Sequence, residues 1–448
     1  MSHTKPSLAR LAAFDVLRTT ARKGVTPASL MHGRPLRGLS PADADLVTEL
    51  VYGVLRWQST LDFIIAGHAR RPIAEIELDL LIALRLGLYQ IRHLSRVPPR
   101  AAVDESVKLA HQFGHSGGSK LVNAVLRSVC RQPDRPALPT RESDPVAYLT
   151  VTLSHPEWLA RRYLSRMSVS EAEAFCLRNN RRPPTDLRVE PPLDVETARA
   201  ALSQEGIATV PIPFLPRSLR VTSGKPTASR LYARGNIFIQ EAGSQLIPFL
   251  LEVGSGDVVL DACAAPGAKA TEIAPWIRPA VVIAIDQRPK RLGLLASLAR
   301  RLGSGNLVAI AADARALPFR RLFPRILLDA PCSSLGTLAR NPDIKWRLGE
   351  EELARHAEKQ QELLEACSAL LAPGGRLVYA TCSSEPEENE EVVARFLARH
   401  RDFGIGRPGQ AFPPAAQRLL RKDGTMRTEP GRDDMDAYFA AVLVRAAQ

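Results

Sequence analysis

The chain has 448 residues, 45% of them hydrophobic and 24% charged, a globular composition long enough for two or three domains. Its 60 Lys and Arg outnumber 47 Asp and Glu for a net charge of +13, which points to a polyanionic partner, nucleic acid ahead of anionic lipid. Six cysteines with no CxxC pair exclude a disulfide-stapled secreted fold and a Cys-based zinc site. The most apolar stretches are broken by Arg85, Gly87 or Asp286 before membrane-spanning length. The opening MSHTKPSLARLAAFDVLRTTARKG lacks a continuous apolar signal core and reads as an amphipathic helix. A cytoplasmic protein without metal or membrane association is expected.

Residues 1–133 read as helical. In DLVTELVYGVLRWQ, Leu46, Leu50, Val51, Val54 and Leu55 share one helical stripe, and LDLLIALRLGLYQI is apolar nearly all round, as a central helix would be. Two further stripes, AVDESVKLAHQF and KLVNAVLRSVC, flank the breaker GHSGGS. RQPDRPALPTRESDP has no periodicity and reads as a linker. Residues 146–235 mix helical segments (HPEWLARRYLSRM, VSEAEAFCLRNN, DVETARAALSQEG) with extended pieces such as DLRVE, a small α+β module that could recognise RNA.

Residues 236–448 carry the sharpest pattern. DVVLDACAAPG, VVIAIDQ, LVAIAAD, PRILLDAPC and GGRLVYATC read as buried strands, with helical segments such as PKRLGLLASLARRLG and EELARHAEKQQELLEACSALL between them. Apolar strands alternating with helices mean a doubly wound, Rossmann-like α/β sheet, with ligands at the carboxyl ends of its strands. The turn DACAAPGAK brings backbone close to a ligand. Asp286, closing the second strand, suits the two hydroxyls of an adenosine ribose, and Asp313 suits an adenine amino edge. Spacing leaves a dinucleotide and S-adenosylmethionine both open, although the missing GxGxxG argues against the dinucleotide.

Asp329-Ala330-Pro331-Cys332 ends the fourth strand and Thr381-Cys382-Ser383 the fifth, which puts two thiols on one rim of the sheet. Cys130, Cys176 and Cys367 fall within helical patterns and are assigned to structure; Cys263 reads as a small filler in the cofactor turn. A thiol and a carboxylate beside a methyl donor suit methylation at cytosine C5. Thiolate addition to C6 makes C5 nucleophilic, and a carboxyl group at N3 absorbs the developing charge.

The blocks DACAAPGAK, LLDAPCSSLGTLARNPDIKW and ATCSSEPEENEEVV resemble the Sun-type (RsmB-type) RNA cytosine-5 methyltransferases, over roughly 236–446 and including the closing TEPGRDDMDAYFAAVL. The helical 1–130 region resembles the RNA-binding NusB-like domain. The resemblance implies an all-α NusB-like domain, a small α+β module and a class I methyltransferase domain. The implied partner is 16S rRNA and the implied cofactor S-adenosyl-L-methionine; no feature of the sequence indicates an oligomer, and a monomer is expected. Carried over by motif, Cys382 is the nucleophile, Cys332 the thiol that assists release, and Asp329 the group that holds the base near the cofactor. The cofactor contacts are Cys263, Ala264, Ala265, Pro266, Gly267, Ala268, Lys269, Asp286, Asp313 and Asp329. Lys345 of NPDIKW and the Arg-rich surfaces are candidate RNA contacts. The acidic run EPEENEE is expected to be scaffold around Cys382, with Asn389 its hydrogen-bonding member.

The chain departs from the family's usual GGKT at Ala268 and Ala270, and from Gly-Phe at Ala437-Tyr438. A positive φ at position 268 would make its β-carbon costly, on the order of 1 kcal/mol. The departures leave as an alternative a weakened or inactive RNA-binding assembly factor; a third possibility is the same chemistry on tRNA, against which the resemblance to the NusB-like domain argues.

Overall fold

The computed structural model describes residues 5–31, 36–114 and 117–447; residues 1–4 of the opening segment and His115 and Ser116 of the GHSGGS breaker lie outside them. The chain divides into two compact units, one formed by Met1–Arg181 with Leu338–Glu350 and the other by Arg182–Thr337 with Glu351–Gln448.

In the first unit the described residues up to 131 form seven α-helices: Leu8–Lys23, Pro27–Met31, Pro41–Arg56, Gln58–Ala69, Leu78–His93, Pro99–Phe113 and Gly118–Arg131. Ser40 starts the third by accepting a bond from the Asp43 amide, with Pro41 in the first turn. The all-round apolar segment becomes the central helix Leu78–His93, buried from Asp79 to Gln90 apart from Arg85. That arginine survives in the interior because both Asp62 oxygens accept from it at 2.7 Å. Gly87 is required there: a β-carbon would come within 2.5 Å of the Leu126 and Ser106 side chains. Helices Glu157–Arg166 and Val169–Asn179 complete the unit, the latter opened by a capping box between Ser168 and Glu171.

The segment Leu338–Glu350 belongs to this helical unit although it follows the DAPCS block. Lys345, read from sequence as a candidate RNA contact, is interior at 1% exposure. Its ammonium donates to the carbonyls of Arg56 (2.9 Å) and Ser154 (2.8 Å) and to Asn180 Oδ1 (3.1 Å), and burial pulls its pKa down to about 7. Trp346 donates its indole N–H to the Leu55 carbonyl at 2.6 Å. The lysine therefore fixes the segment by satisfying carbonyl groups that would otherwise be stranded.

In the second unit, strands β1 (Thr185–Val189), β2 (Ala208–Pro211), β3 (Ser218–Ser223) and β4 (Ile237–Ile239) form an antiparallel sheet in the order β2-β3-β1-β4. The larger sheet comprises β5 (Val259–Asp261), β6 (Val282–Asp286), β7 (Leu307–Ala311), β8 (Phe323–Asp329), β9 (Leu371–Thr381), β10 (Phe403–Ile405), β11 (Met426–Arg427) and β12 (Phe439–Arg445). Its order is β10-β12-β9-β8-β5-β6-β7, with β11 paired to β12. The five strands read from the sequence are the parallel set β5 to β9, and the closing YFAAVL segment is the antiparallel strand β12. Connections leave β5 toward β6 on one side and arrive at β8 on the other, so the ligand crevice opens at the carboxyl ends of β5 and β8.

Candidate active site

Pairing of β8 with β9 sets Asp329 opposite Ala380, and the Ala330 amide continues the ladder to the Ala380 carbonyl at 2.8 Å. Both strands then release their chains at the same level, which brings Cys332 and Cys382 together with their sulfurs 3.3 Å apart. Two local features aim the thiols. Ser334 adopts φ +60°, a left-handed conformation that costs a non-glycine residue about 1–3 kcal/mol, and its hydroxyl lies 3.4 Å from Cys382 Sγ. Gly336 donates its amide to the Cys382 carbonyl at 3.0 Å; a β-carbon there would sit 2.3 Å from the Ala437 carbonyl oxygen. Ser334 and Gly336 were not singled out from the sequence, although both lie inside the DAPCSSLGT block.

The thiols are electrically unequal. The hydrogen bond from Cys332 lowers the Cys382 pKa against the opposing effect of burial, aided by Ser334 and by the charge of Lys269. The same bond, with burial and the nearby Glu388 charge, pushes Cys332 well up. These directions favour Cys382 over Cys332 as the thiolate. Burial raises Cys263 well above its ordinary range, so it is no rival nucleophile.

The turn between β5 and the helix Ala268–Ile273 forms the other wall. Gly267 takes φ +110°, and a β-carbon on it would lie 2.9 Å from Leu295. Ala264 and Ala265 are buried, Cys263 and Ala268 are half-buried and Pro266 is exposed. Lys269 reaches across to Asp329, Nζ to Oδ2 2.7 Å. Burial opposes its charge, yet Asp329 holds its pKa above the ordinary value. Asp286 ends β6, where it accepts the Arg288 amide at 2.8 Å and pairs with Arg291 at 3.1 Å. Asp313 lies two residues past β7, bonded to Arg315 and Gln287.

Asp261, at the end of β5, is a site residue that sequence reasoning passed over. It is 1% exposed, neither carboxylate oxygen has a hydrogen-bond partner, and burial together with the Asp329 charge raises its pKa to about 8. Its place as the first residue of DACAAPGAK was the available signal.

A family model for the 16S rRNA methyltransferase RsmB/F matches residues 248–444, one for the NusB family residues 7–131, and one for the RsmF/B-like ferredoxin-like domain residues 155–228. The probable ribosomal RNA small subunit methyltransferase B of Synechocystis sp. is 34% identical, over 98% of this chain and 99% of its own. This chain belongs to the RsmB/F methyltransferase family. The ribosomal RNA small subunit methyltransferase B of Klebsiella pneumoniae is 35% identical over 97% of this chain and 98% of its own. Among solved structures, PH0851 superposes with a TM-score of 0.82 at 24% identity, covering 98% of this chain and 99% of that one. NSun6 from Pyrococcus horikoshii gives 0.58 at 21% identity, covering 65% and 99%. These neighbours share the fold. The expected NusB-like domain, small α+β module and Rossmann-like methyltransferase domain are all present, the middle one ferredoxin-like.

The RsmB/F membership implies a methyl-donating cofactor, and the residues fit one. Asp261 offers two unpartnered carboxylate oxygens, the open Cα of Gly267 allows close approach, and Asp286 ends a neighbouring strand on the same rim. The feared strain at position 268 is absent. The positive φ falls on Gly267, while Ala268 begins a helix.

Proposed function

We propose that the protein methylates C5 of a cytosine in 16S rRNA, with S-adenosylmethionine as donor and a covalent bond from Cys382 to C6 of the base. The observation that carries this reading is the contact between the unequal thiols of Cys332 and Cys382 beside Asp329. The Cys382 thiolate adds to C6, and the electron pair moves toward C5 and N3. Asp329, on the same rim, in its protonated form donates its proton to N3 as the charge develops there and takes it back when the C5 proton leaves. S-adenosylmethionine supplies the methyl group that C5 takes. Loss of the C5 proton to a base then returns the electron pair, and the C6–S bond breaks to release Cys382. Cys332, beside that sulfur, assists the release. Asp261, Gly267, Lys269 and Asp286 are the proposed cofactor contacts, with Asp313 at the adenine. The relatives named as small subunit methyltransferases support ribosomal RNA over tRNA, and the intact thiol pair opposes the assembly-factor alternative.

The test is incubation of rRNA from a strain lacking the protein with methyl-labelled S-adenosylmethionine, followed by digestion to nucleosides. Label is expected in 5-methylcytidine. Cys382→Ala should abolish transfer with the fold intact, and Cys332→Ala should trap a covalent RNA adduct. Label in another nucleoside, or normal turnover by Cys382→Ala, would overturn the proposal.

A further inference from the structure

The acidic run after Cys382 is not the solvated helix start that its charge suggests. Glu388 is 0% exposed, and the donors around its carboxylate are neutral. The Ser333 amide lies 2.8 Å from Oε1 and Gln360 Nε2 2.9 Å from it, while the Ser333 and Ser383 hydroxyls both bond Oε2. Gln360 is itself held, donating to the Pro331 carbonyl at 3.1 Å and accepting from the Tyr379 hydroxyl at 3.2 Å. Ser333 directly follows Cys332 and Ser383 directly follows Cys382. One carboxylate therefore joins the two turns that carry the thiols, past the last β8–β9 ladder bond and beside the Ser333–Ser383 hydroxyl contact at 3.1 Å and the bond from the Gly336 amide to the Cys382 carbonyl at 3.0 Å.

We infer that Glu388 is a positioning residue that clamps the Ser333 and Ser383 turns together and so keeps the Cys332 and Cys382 sulfurs in contact. The inference rests on the proposed roles of the two thiols. A buried carboxylate suits the task because it accepts only, so every contact must come from a donor. A carboxamide at position 388 would present an N–H₂ group to donors. With its oxygen in the Oε1 place that carboxamide still accepts from the Ser333 amide and Gln360 while the rotated serine hydroxyls accept from it, so Glu388→Gln keeps the clamp and removes only the charge, whereas Glu388→Ala removes all four bonds. Once the turns part, Cys332 no longer donates to Cys382. The other groups facing Cys382 are Ser334, Lys269, Asp329 and Tyr438; all remain, so a change in thiolate formation reports the clamp.

The test uses the full-length chain and Glu388→Ala, with Glu388→Gln as the control for loss of the charge alone. Alkylation of Cys382 by iodoacetamide is followed against pH by mass spectrometry of its tryptic peptide. The clamp predicts that the Glu388→Ala profile moves alkaline by about one pH unit. Loss of the Glu388 charge alone would move it acid, so the sign separates positioning from a simple charge effect. Diamide, which is reduced to the hydrazine as it takes two hydrogens from the thiol pair, should cross-link Cys332 to Cys382 in the unaltered protein. In Glu388→Ala that rate should fall about tenfold or more, because thiol–disulfide chemistry requires the sulfurs within reach. Methyl transfer should fall in kcat more than it rises in KM for RNA, recover in part at higher pH, and be partly restored by Glu388→Asp. An unshifted or acid-shifted alkylation profile in Glu388→Ala, or an unchanged cross-linking rate, would overturn the inference. Ser383→Ala removes one arm and keeps the carboxylate; if Glu388→Ala does not fold, a wild-type profile and cross-linking rate in Ser383→Ala would overturn it equally. The thiol measurements need neither RNA nor cofactor, so failure of methyl transfer in the unaltered protein would defeat the functional proposal without deciding this one.

Discussion

Ala268 and Ala270 stand where RsmB/F relatives were expected to carry Gly and Thr, and both are accommodated by local geometry. Ala268 has a helical backbone, so its β-carbon meets no left-handed strain. Ala270 is fully buried in the core beneath the cofactor turn. A hydroxyl is available one position later, where Thr271 donates to the Gly267 carbonyl at 2.8 Å. Ala268→Gly is therefore expected to leave S-adenosylmethionine affinity within about threefold, since helix propensity costs only about 1 kcal/mol. Ala270→Thr should lower the melting temperature without improving affinity, because added atoms in a packed core typically cost about 1–3 kcal/mol. Calorimetric titration and a thermal scan check both; a tenfold gain in affinity from either substitution would contradict this account.

At the scale of elements, strand β1 of the ferredoxin-like sheet is tied to the helix that follows the cofactor turn. Arg188, 5% exposed in its side chain, donates to the Ala268 carbonyl at 2.8 Å, to Thr271 Oγ1 at 3.2 Å and to Glu272 Oε2 at 3.2 Å, and pairs with Glu190 at 2.6 Å. Burial raises the Glu272 pKa to about 7 even though Arg188 opposes the rise. Removing the guanidinium would leave two carboxylates and a carbonyl buried without their cation, a loss that typically costs about 3–5 kcal/mol. Arg188→Met should lower thermal stability markedly and weaken S-adenosylmethionine binding, with Arg188→Lys intermediate because it cannot reproduce the fork of bonds. Unchanged melting temperature and cofactor affinity in Arg188→Met would sink the idea. The sequence showed DLRVE as a strand, but pattern alone does not tell which way an arginine in a strand faces or what it meets.

For the whole molecule, the instructive feature is that the helical unit is built from two separate stretches of chain. Leu338–Glu350 leaves after the DAPCS block and is held in that unit by Lys345 and Trp346. A fragment starting at Arg182 would lack the Leu55, Arg56, Ser154 and Asn180 groups that receive them. Its 338–350 segment should become susceptible to trypsin at Arg340, Lys345 and Arg347, whereas the full chain should resist cleavage there. Equal resistance in the two proteins would show that the segment does not depend on those partners. Contacts between residues nearly 300 positions apart leave no trace in local periodicity, which is why NPDIKW read as an exposed RNA contact.

The reach of sequence reasoning ends at the same physical boundary throughout. The alternation of apolar strands with amphipathic helices reports burial along the chain, so the helical N-terminal region, the parallel strands β5 to β9 and the two strand-end cysteines were legible without coordinates. Side-chain chemistry was legible too, since a thiol beside a carboxylate restricts the reactions available. Partnership was not. That Glu388 is interior, that Lys345 satisfies carbonyl groups, that Asp261 lacks a partner and that the Cys332 and Cys382 sulfurs touch all depend on which groups the folded chain brings within about 3 Å of one another. Hydrogen bonds act only over such distances, pKa shifts follow from burial and from charges a little further off, and tertiary packing alone decided both.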